Sequence, residues 1–235
     1  WESEGQGLPR PVFNIIRRIV DYMVCTVASG DVSICFSDDN LPALADPDTA
    51  AALRRAIGML SSNAAYRWER SRMDSLVYRL LSDAALTGDG VLYCWWDSSL
   101  GTGQPYTGDI ATRTVDNVNL FVADVNRADI QSQDYIILSG RDSVLRLRAE
   151  ARRAGQGEDV IARIVADDDT SGGAGELSRY ELDAPDCEKA TFIIKFWRED
   201  GHVVFEKSTR DAVVRRAVTA QTLYPVAAFN WYPTK

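Results

Sequence analysis

Six consecutive apolar residues, VLYCWW at 91–96, constrain the fold of this chain more than any other segment. The run follows a TGDG turn at 87–90 and is apolar at both odd and even positions. A strand that is buried on both faces is typical of such an uninterrupted run. The sequence therefore predicts a sheet with this strand at its centre.

A helix and a short strand are predicted near the beginning of the chain. Apolar residues recur at helical spacing between Val12 and Ala28, and charged residues occupy the other face. Pro11 suits the first helical position. Alternating residues then predict a strand over Val32–Phe36.

A long helical region covers residues 47–87 and leads into the apolar run. Asp46 is the predicted N-cap, with Pro47 at the first helical position. The polar triplet at 61–63 is a place where the helix could be interrupted. Gly88 supplies the stop signal.

Further strands and one more helix are predicted downstream. The dipeptide Asp200-Gly201 is a strong hairpin signal, and a helix is predicted over Asp142–Ala154. The strand candidates are Asp109–Val115, Asn117–Val122, Tyr135–Leu138, Phe192–Arg198 and Val203–Lys207. Helices and strands in this mixed order predict an α+β fold, which we expect to form one domain over residues 1–235.

The acidic balance of the chain argues against a dedicated nucleic-acid-binding module. The formal net charge is -8 and the sequence pI is about 4.8. Affinity for nucleic acid comes largely from neutralised phosphates and requires a basic patch or stripe. We therefore expect no dedicated DNA-binding module, although local basic patches remain possible.

The cysteines and the apolar segments predict synthesis in the cytosol. Cys25, Cys35 and Cys94 lie in apolar runs, Cys187 stands alone, and no Cys-x-x-Cys pair occurs. All four are therefore predicted to be reduced core thiols. The longest apolar run near the beginning, Ile19–Ala28, is much shorter than the ~20 residues that cross a bilayer.

The segment 166–183 is predicted to be a mobile surface loop, because it combines acidic residues and glycines with few apolar groups. Asp167, Asp168 and Asp169 are expected to be solvated rather than to hold a metal ion. An alternative hypothesis joins them with Asp186 and Glu188 in a metal-dependent nuclease.

The residues offer no catalytic constellation, so the chain is not predicted to be an enzyme or to hold a cofactor or metal. The sole histidine, His202, lies at the predicted hairpin turn. The glycine-containing segments 101–108 and 171–175 lack the GxxxxGK[ST] pattern of a phosphate-binding loop. Four tryptophans in apolar runs are expected in the core or at an interface: Trp95, Trp96, Trp197 and Trp231.

Several segments in their order resemble the N-terminal wing region of tailed-bacteriophage portal proteins, the head-tail connectors. They cover nearly the whole chain: LPRPVFNIIRRIVDYMV at 8–24, LTGDGVLYCWWD at 86–97, VDNVNLFVADVN at 115–126, IQSQDYIILSGR at 130–141, FIIKFWREDGHVVFEKSTRDAVV at 192–214 and LYPVAAFNWYPTK at 223–235. None is a catalytic signature, so the number and order of the segments carry the resemblance.

The resemblance implies a structural protein of the virion, made in the bacterial host cytoplasm. Portal proteins form a ring, usually of twelve subunits, at one capsid vertex, and double-stranded DNA passes through it during packaging and ejection. The implied partners are other subunits, capsid and scaffolding proteins, the terminase and head-completion proteins. The stem and clip of the family would lie beyond Lys235, and the first residue is Trp1 rather than Met, so the chain is expected to be truncated at both ends.

Charged residues on faces predicted to be exposed are the candidates for subunit contacts: Arg54, Arg55, Arg215 and Arg216. A scaffolding or adaptor domain of non-viral origin is a further alternative, because an acidic surface with interface aromatics would serve it equally well.

Overall fold

A computed structural model describes residues 14–30, 34–37, 47–101, 107–167 and 188–232. Helices and antiparallel sheets occur together, which confirms the α+β prediction. The chain divides into two compact units, Trp1–Arg67 and Trp68–Lys235, where the sequence favoured one domain. Each unit is described by itself.

The first unit contains helix α1 (Ile15–Ala28) and most of helix α2 (Pro47–Arg70). Asn14 caps α1, because its side-chain oxygen accepts from the Arg17 amide at 2.9 Å. Pro47 opens α2 as predicted, whereas Pro11 and Asp46 lie outside the described residues.

The strand predicted over residues 32–36 is wrong for the part that is described. Residues 34–37 adopt no regular structure, and residues 31–33 lie outside the described ranges. The Phe36 amide donates to the Ser61 hydroxyl at 3.0 Å, so a helix side chain satisfies it instead of a neighbouring strand.

The long helical region is interrupted at Arg72 and not at 61–63. Two of the triplet side chains bond within α2: the Ser62 hydroxyl donates to the Gly58 carbonyl at 3.0 Å, and the Asn63 side-chain oxygen accepts from the Arg67 Nε at 2.8 Å. Arg72 takes a left-handed φ of 49° and separates α2 from helix α3 (Met73–Thr87). Gly88 ends α3 with φ 97°, as its position in the sequence predicts.

In the described part of the second unit, eight strands form two antiparallel sheets. They are β1 (Asp89–Gly101), β2 (Thr107–Val115), β3 (Leu120–Val122), β4 (Tyr135–Ser143), β5 (Lys189–Glu199), β6 (His202–Thr209), β7 (Val213–Val218) and β8 (Val226–Asn230). One sheet has the order β2-β1-β8 and the other has the order β3-β4-β5-β6-β7.

Strand β1 is central, as predicted, but it is not buried on both faces. Val91 and Tyr93 point into the core, whereas Trp96 on the opposite face is 55% exposed. Helix α3 packs against β1 and β2. The sheet that contains β1 is also the smaller of the two sheets.

The hairpin predicted at Asp200-Gly201 joins β5 to β6. Both residues have positive φ, 50° and 80°, as a tight turn between antiparallel strands requires. The candidate Asn117–Val122 divides into a 3-10 turn at Asn117–Asn119 and the short strand β3.

The core lies between the inner faces of the two sheets and helix α4 (Val144–Arg153). Ser143 caps α4. The inward-facing residues of α4 belong to the same apolar cluster as the buried residues of the strands. A short helix, α5 (Glu158–Ala162), adds Ile161 to this cluster. The fully buried side chains include Ile136, Leu147, Ile164, Val203, Val214 and Val226.

The prediction of buried cysteines is wrong for the three that are described. Cys25 and Cys35 are exposed and Cys94 is half-buried, while Cys187 lies outside the described residues. Apolar neighbours did not indicate burial, because Ile19 and Tyr22, near Cys25 on α1, are themselves exposed.

Candidate interaction surface

Arg215 and Arg216 were predicted together but lie on opposite faces of the five-stranded sheet. In the pairing of β6 with β7, Arg215 is opposite Lys207 and Arg216 is opposite Glu206. Successive strand residues point to opposite faces, and both arginines are exposed. They therefore belong to two different surfaces.

Arg216 belongs to a group of aromatic and charged side chains on the outer face. Its guanidinium lies 5.3 Å from the centre of the Trp197 ring and forms an ion pair with Glu199 at 3.4 Å. The Trp197 indole donates to the same carboxylate at 2.7 Å. Lys195 lies between Trp197 and Tyr135, at 5.6 and 5.1 Å from their ring centres. We call these five residues the outer group.

Arg215 lies at one end of a row of aromatic rings on the inner face. Its guanidinium is 5.2 Å from the centre of the Phe205 ring. Phe205 contacts Phe196 at 6.3 Å between ring centres, and Phe196 contacts Tyr93 of the other sheet at 5.9 Å. The rings thus connect Arg215 to the core between the sheets.

A second arginine lies at the other end of the same rings. Tyr93 stacks on Trp95 at 4.8 Å with an interplanar angle of 14°, and Arg113 lies 5.4 Å from the centre of the Trp95 ring. The Arg113 Nε is buried and has no hydrogen-bond partner. We call Arg113, Trp95, Tyr93, Phe196, Phe205 and Arg215 the inner row.

The charge of the neighbouring Lys207 is compensated, unlike the charges at the ends of the inner row. Lys207 forms an ion pair with Glu150 of α4 at 2.7 Å and lies 4.3 Å from the centre of the Phe192 ring. Within the described ranges, no carboxylate lies at ion-pair distance from Arg113 or Arg215. The inner row therefore has two uncompensated cations.

Burial raises the pKa of the Tyr93 phenol to about 12. The cations Arg113 and Arg215 oppose this rise, and the carboxylate of Glu150 adds to it. All three charged groups are thus close enough to act on one phenol in the middle of the row.

We expect this raised pKa to make the protein lose stability at alkaline pH. Tyrosine ionises near pH 10 in an unfolded chain, so the stability that Tyr93 contributes is complete below about pH 10 and is lost towards about pH 12. The loss should amount to roughly 2 kcal/mol, and Tyr93→Phe should abolish that part of it. Urea unfolding of both proteins at about pH 9 and about pH 11.5 measures the difference. An equal loss in both proteins would contradict the expectation.

The other two predicted interface residues, Arg54 and Arg55, lie on α2 and are exposed. The Arg55 guanidinium donates to the Ala51 carbonyl of the same helix at 3.3 Å. These arginines and those of β7 belong to different units of the chain.

Helix α1 carries an apolar stripe on its exposed side. Ile15, Ile19 and Tyr22 recur at i, i+4 and i+7 and therefore share one side of the helix. That side lies opposite Val24, the buried residue of α1. Ile19 is 54% exposed and Tyr22 is 74% exposed.

Asp167, predicted to be solvated, is anchored by three neighbours. Its carboxylate accepts from the Thr191 amide at 2.8 Å and from the Thr191 hydroxyl at 3.1 Å, and it pairs with Arg141 at 3.2 Å. Its amide donates to the Lys189 carbonyl at 3.2 Å. The prediction of a solvated carboxylate is thus wrong for Asp167.

The remaining residues of the nuclease hypothesis are not brought together in the part of the chain that is described. Glu188 is exposed, and Asp168, Asp169 and Asp186 lie outside the described ranges, as does the rest of the predicted loop to residue 183. Within those ranges, no group of three His, Cys, Asp or Glu side chains could hold a metal ion.

The tryptophans and the histidine occupy surface or half-buried positions. Trp95 packs against the core, Trp197 and Trp231 are half-buried, and Trp96 is exposed. His202 is exposed beside the hairpin turn, as predicted. No described helix combines the length and the apolar character that a membrane span requires.

Comparison with models of known protein families finds no match, and comparison with curated proteins finds no matching relative.

Proposed function

We propose that this chain is part of a homo-oligomeric structural protein, similar to the wing region of tailed-phage portal proteins. The exposed apolar stripe of α1, formed by Ile15, Ile19 and Tyr22, is the observation that carries the proposal. Apolar side chains at i, i+4 and i+7 on the side of a helix away from its buried residue are typical of a surface that another protein covers.

The family resemblance implies that the oligomer is a ring. In such a ring each subunit contacts its two neighbours through different surfaces, which is the heterologous arrangement of cyclic assemblies. The chain offers separate surfaces of this kind, because the arginines of β7 lie on opposite faces of one sheet. The ring would stand at a capsid vertex and connect capsid, terminase and head-completion proteins around the passing DNA.

The acidic balance of the chain suits a conduit for DNA. A net charge of -8 gives a net repulsion of phosphates, so DNA could move past without being held. Sequence-specific binding would need a basic patch with side chains directed at base edges.

We expect the full-length protein to assemble into rings. Its native mass should correspond to about twelve subunits, and negative-stain images should show a central channel. Ile19→Glu should reduce the assembled fraction by placing a charge in the α1 stripe, whereas Arg17→Glu on the other side of α1 should assemble like the wild type. A strictly monomeric wild-type protein would overturn the proposal.

A further inference from the structure

The left-handed residue that separates α2 from α3 has no sequence signal of its own. Arg72 has φ 49° and ψ 45°. Helices commonly end at a left-handed residue, but glycine or asparagine usually occupies it, because a Cβ disfavours this conformation about tenfold. Residues 59–87 contain neither glycine nor proline. The local sequence therefore favours one continuous helix, so other contacts must maintain the break.

One hydrogen bond across the junction can form only when the helix is broken. The Trp68 indole of α2 donates to the Asp74 carboxylate of α3 at 2.7 Å. In a continuous helix, two residues six positions apart are separated by about 9 Å along the axis and lie on different sides of it. This bond would therefore be lost if α2 continued into α3.

A second contact holds the last turn of α2 beside the three-stranded sheet. The Arg70 Nε lies 3.8 Å from the Asp109 carboxylate of β2, and the two side chains are 33% and 17% exposed. The Arg72 amide donates to the Glu69 carbonyl at 3.0 Å, three residues back instead of four, which closes the helix at this point. The broken form thus has side-chain contacts that offset the backbone strain at Arg72.

We propose that the junction at Arg72 is a two-state hinge, at which α2 and α3 alternate between the broken form and one continuous helix over residues 47–87. In the continuous form Arg72 takes the right-handed conformation, and the first amides of α3 gain carbonyl partners four residues back. A partner that binds one form more tightly would shift the equilibrium towards that form. This inference goes beyond the proposed function and does not depend on it.

Two substitutions should move the equilibrium in opposite directions. Trp68→Phe removes the hydrogen bond that only the broken form makes, so the ratio of continuous to broken form should rise about tenfold or more. Arg72→Gly removes the penalty of the left-handed conformation and disfavours the helix interior, so the same ratio should fall about thirtyfold. The double variant should return towards the wild-type ratio.

Double electron–electron resonance between nitroxide labels on α2 and α3 measures this ratio. The labels are placed at the exposed positions Met59 and Leu86 through unnatural keto amino acids, so that the native cysteines remain. A continuous helix separates these positions by about 40 Å, and any break in the helix shortens this distance. We expect mainly the shorter distance in the wild type, an added population near about 40 Å in Trp68→Phe, and none near that distance in Arg72→Gly.

Two control variants change the same chemistry where it does not distinguish the two forms. Trp197→Phe removes another indole–carboxylate bond of 2.7 Å on β5, and Ala65→Gly places a glycine at an exposed position within α2. Both should leave the distances unchanged. Circular dichroism checks that each variant is folded, and Asp74→Ala removes the same hydrogen bond from its other side if Trp68→Phe is unfolded.

A distance distribution that Trp68→Phe, Asp74→Ala and Arg72→Gly all leave unchanged would refute the hinge, because Arg72 would then belong to a rigid turn. Equal shifts in Trp68→Phe and Trp197→Phe would also refute it, since the Trp68 bond would then have no particular role. Neither result bears on the proposed function, which is tested by assembly of the full-length protein.

Discussion

Arg198→Ala is expected to lower the free energy of unfolding of the second unit by about 3 kcal/mol. The Arg198 guanidinium donates to the Gln131 carbonyl at 2.9 Å, to the Gln131 side-chain oxygen at 3.3 Å and to the Thr222 carbonyl at 3.1 Å. It also lies 4.1 Å from the centre of the Tyr224 ring. Hydrogen bonds to charged groups each contribute about 1.5–3 kcal/mol, and losses within one network are not additive.

The expected effect is large because Arg198 connects the two sheets. Gln131 itself donates to the carbonyls of Tyr224 and Val226 at 3.1 and 3.2 Å and accepts from the Tyr224 amide at 2.8 Å. Val226 begins β8 of the three-stranded sheet, whereas Arg198 belongs to β5 of the five-stranded sheet. Truncation of the Arg198 side chain would remove these contacts between the two sheets. The Gln131 and Thr222 carbonyls would lose the guanidinium as a donor.

Urea unfolding followed by tryptophan fluorescence measures the loss, and Arg146→Ala is the matched control. The Arg146 side chain is 81% exposed and pairs with Asp142 at 3.7 Å, so its removal should cost less than about 0.5 kcal/mol. Arg198→Lys should be intermediate, because an ammonium cannot reproduce the guanidinium fork. Equal stabilities of Arg198→Ala and Arg146→Ala would refute the assigned role.

Asp167→Ala is expected to destabilise the second unit by about 2 kcal/mol. The side chains of Arg141 and Asp167 are 19% and 22% exposed, so their ion pair is largely shielded from solvent. The Arg141 Nη1 is buried without a hydrogen-bond partner, and its Nη2 also donates to the Asp167 carbonyl at 2.8 Å. Loss of the carboxylate would leave the guanidinium largely uncompensated and would remove two acceptors from Thr191.

Two further variants separate charge from hydrogen bonding at this position. Asp167→Asn keeps an oxygen that can accept from Thr191 and should lose about half as much stability as Asp167→Ala. Asp159→Ala removes a carboxylate that is 78% exposed and paired with Arg163 at 3.4 Å, so we expect less than about 0.5 kcal/mol. Thermal unfolding of the three variants gives the order, and an Asp167→Ala protein as stable as Asp159→Ala would show that Asp167 is not an anchor.

The contacts with Arg141 and Thr191 hold Asp167 in place, although the composition predicted a mobile loop there. Asp167 belongs to the first residues of the acidic segment predicted at 166–183, and composition treats all of its aspartates alike. Arg141 and Thr191 lie 26 and 24 residues away in the chain, so no local pattern could indicate that they meet Asp167. Only the pairing of β4 with β5 brings them together.

The sequence by itself determined the elements with a strong local signal. Helical periodicity predicted α1 and α3, the glycine after Thr87 predicted the end of α3, and Asp200-Gly201 predicted a hairpin whose two residues need positive φ. The mixture of these elements determined the α+β class. Each signal resides in adjacent residues, because it depends on side-chain period or backbone conformation.

Tertiary structure alone decided which faces are buried and which residues share a surface. Strands β7 and β8 and helix α5 were not predicted, because VVRRAV interrupts the apolar alternation and the other two segments have only five residues each. The α1 stripe and Trp96 are exposed although their residues are apolar, since burial depends on what packs against a face and not on its composition. The separation of Arg215 from Arg216 likewise follows from the pleat of β7 and its pairing with β6, by which one arginine joins the inner row and the other joins the outer group.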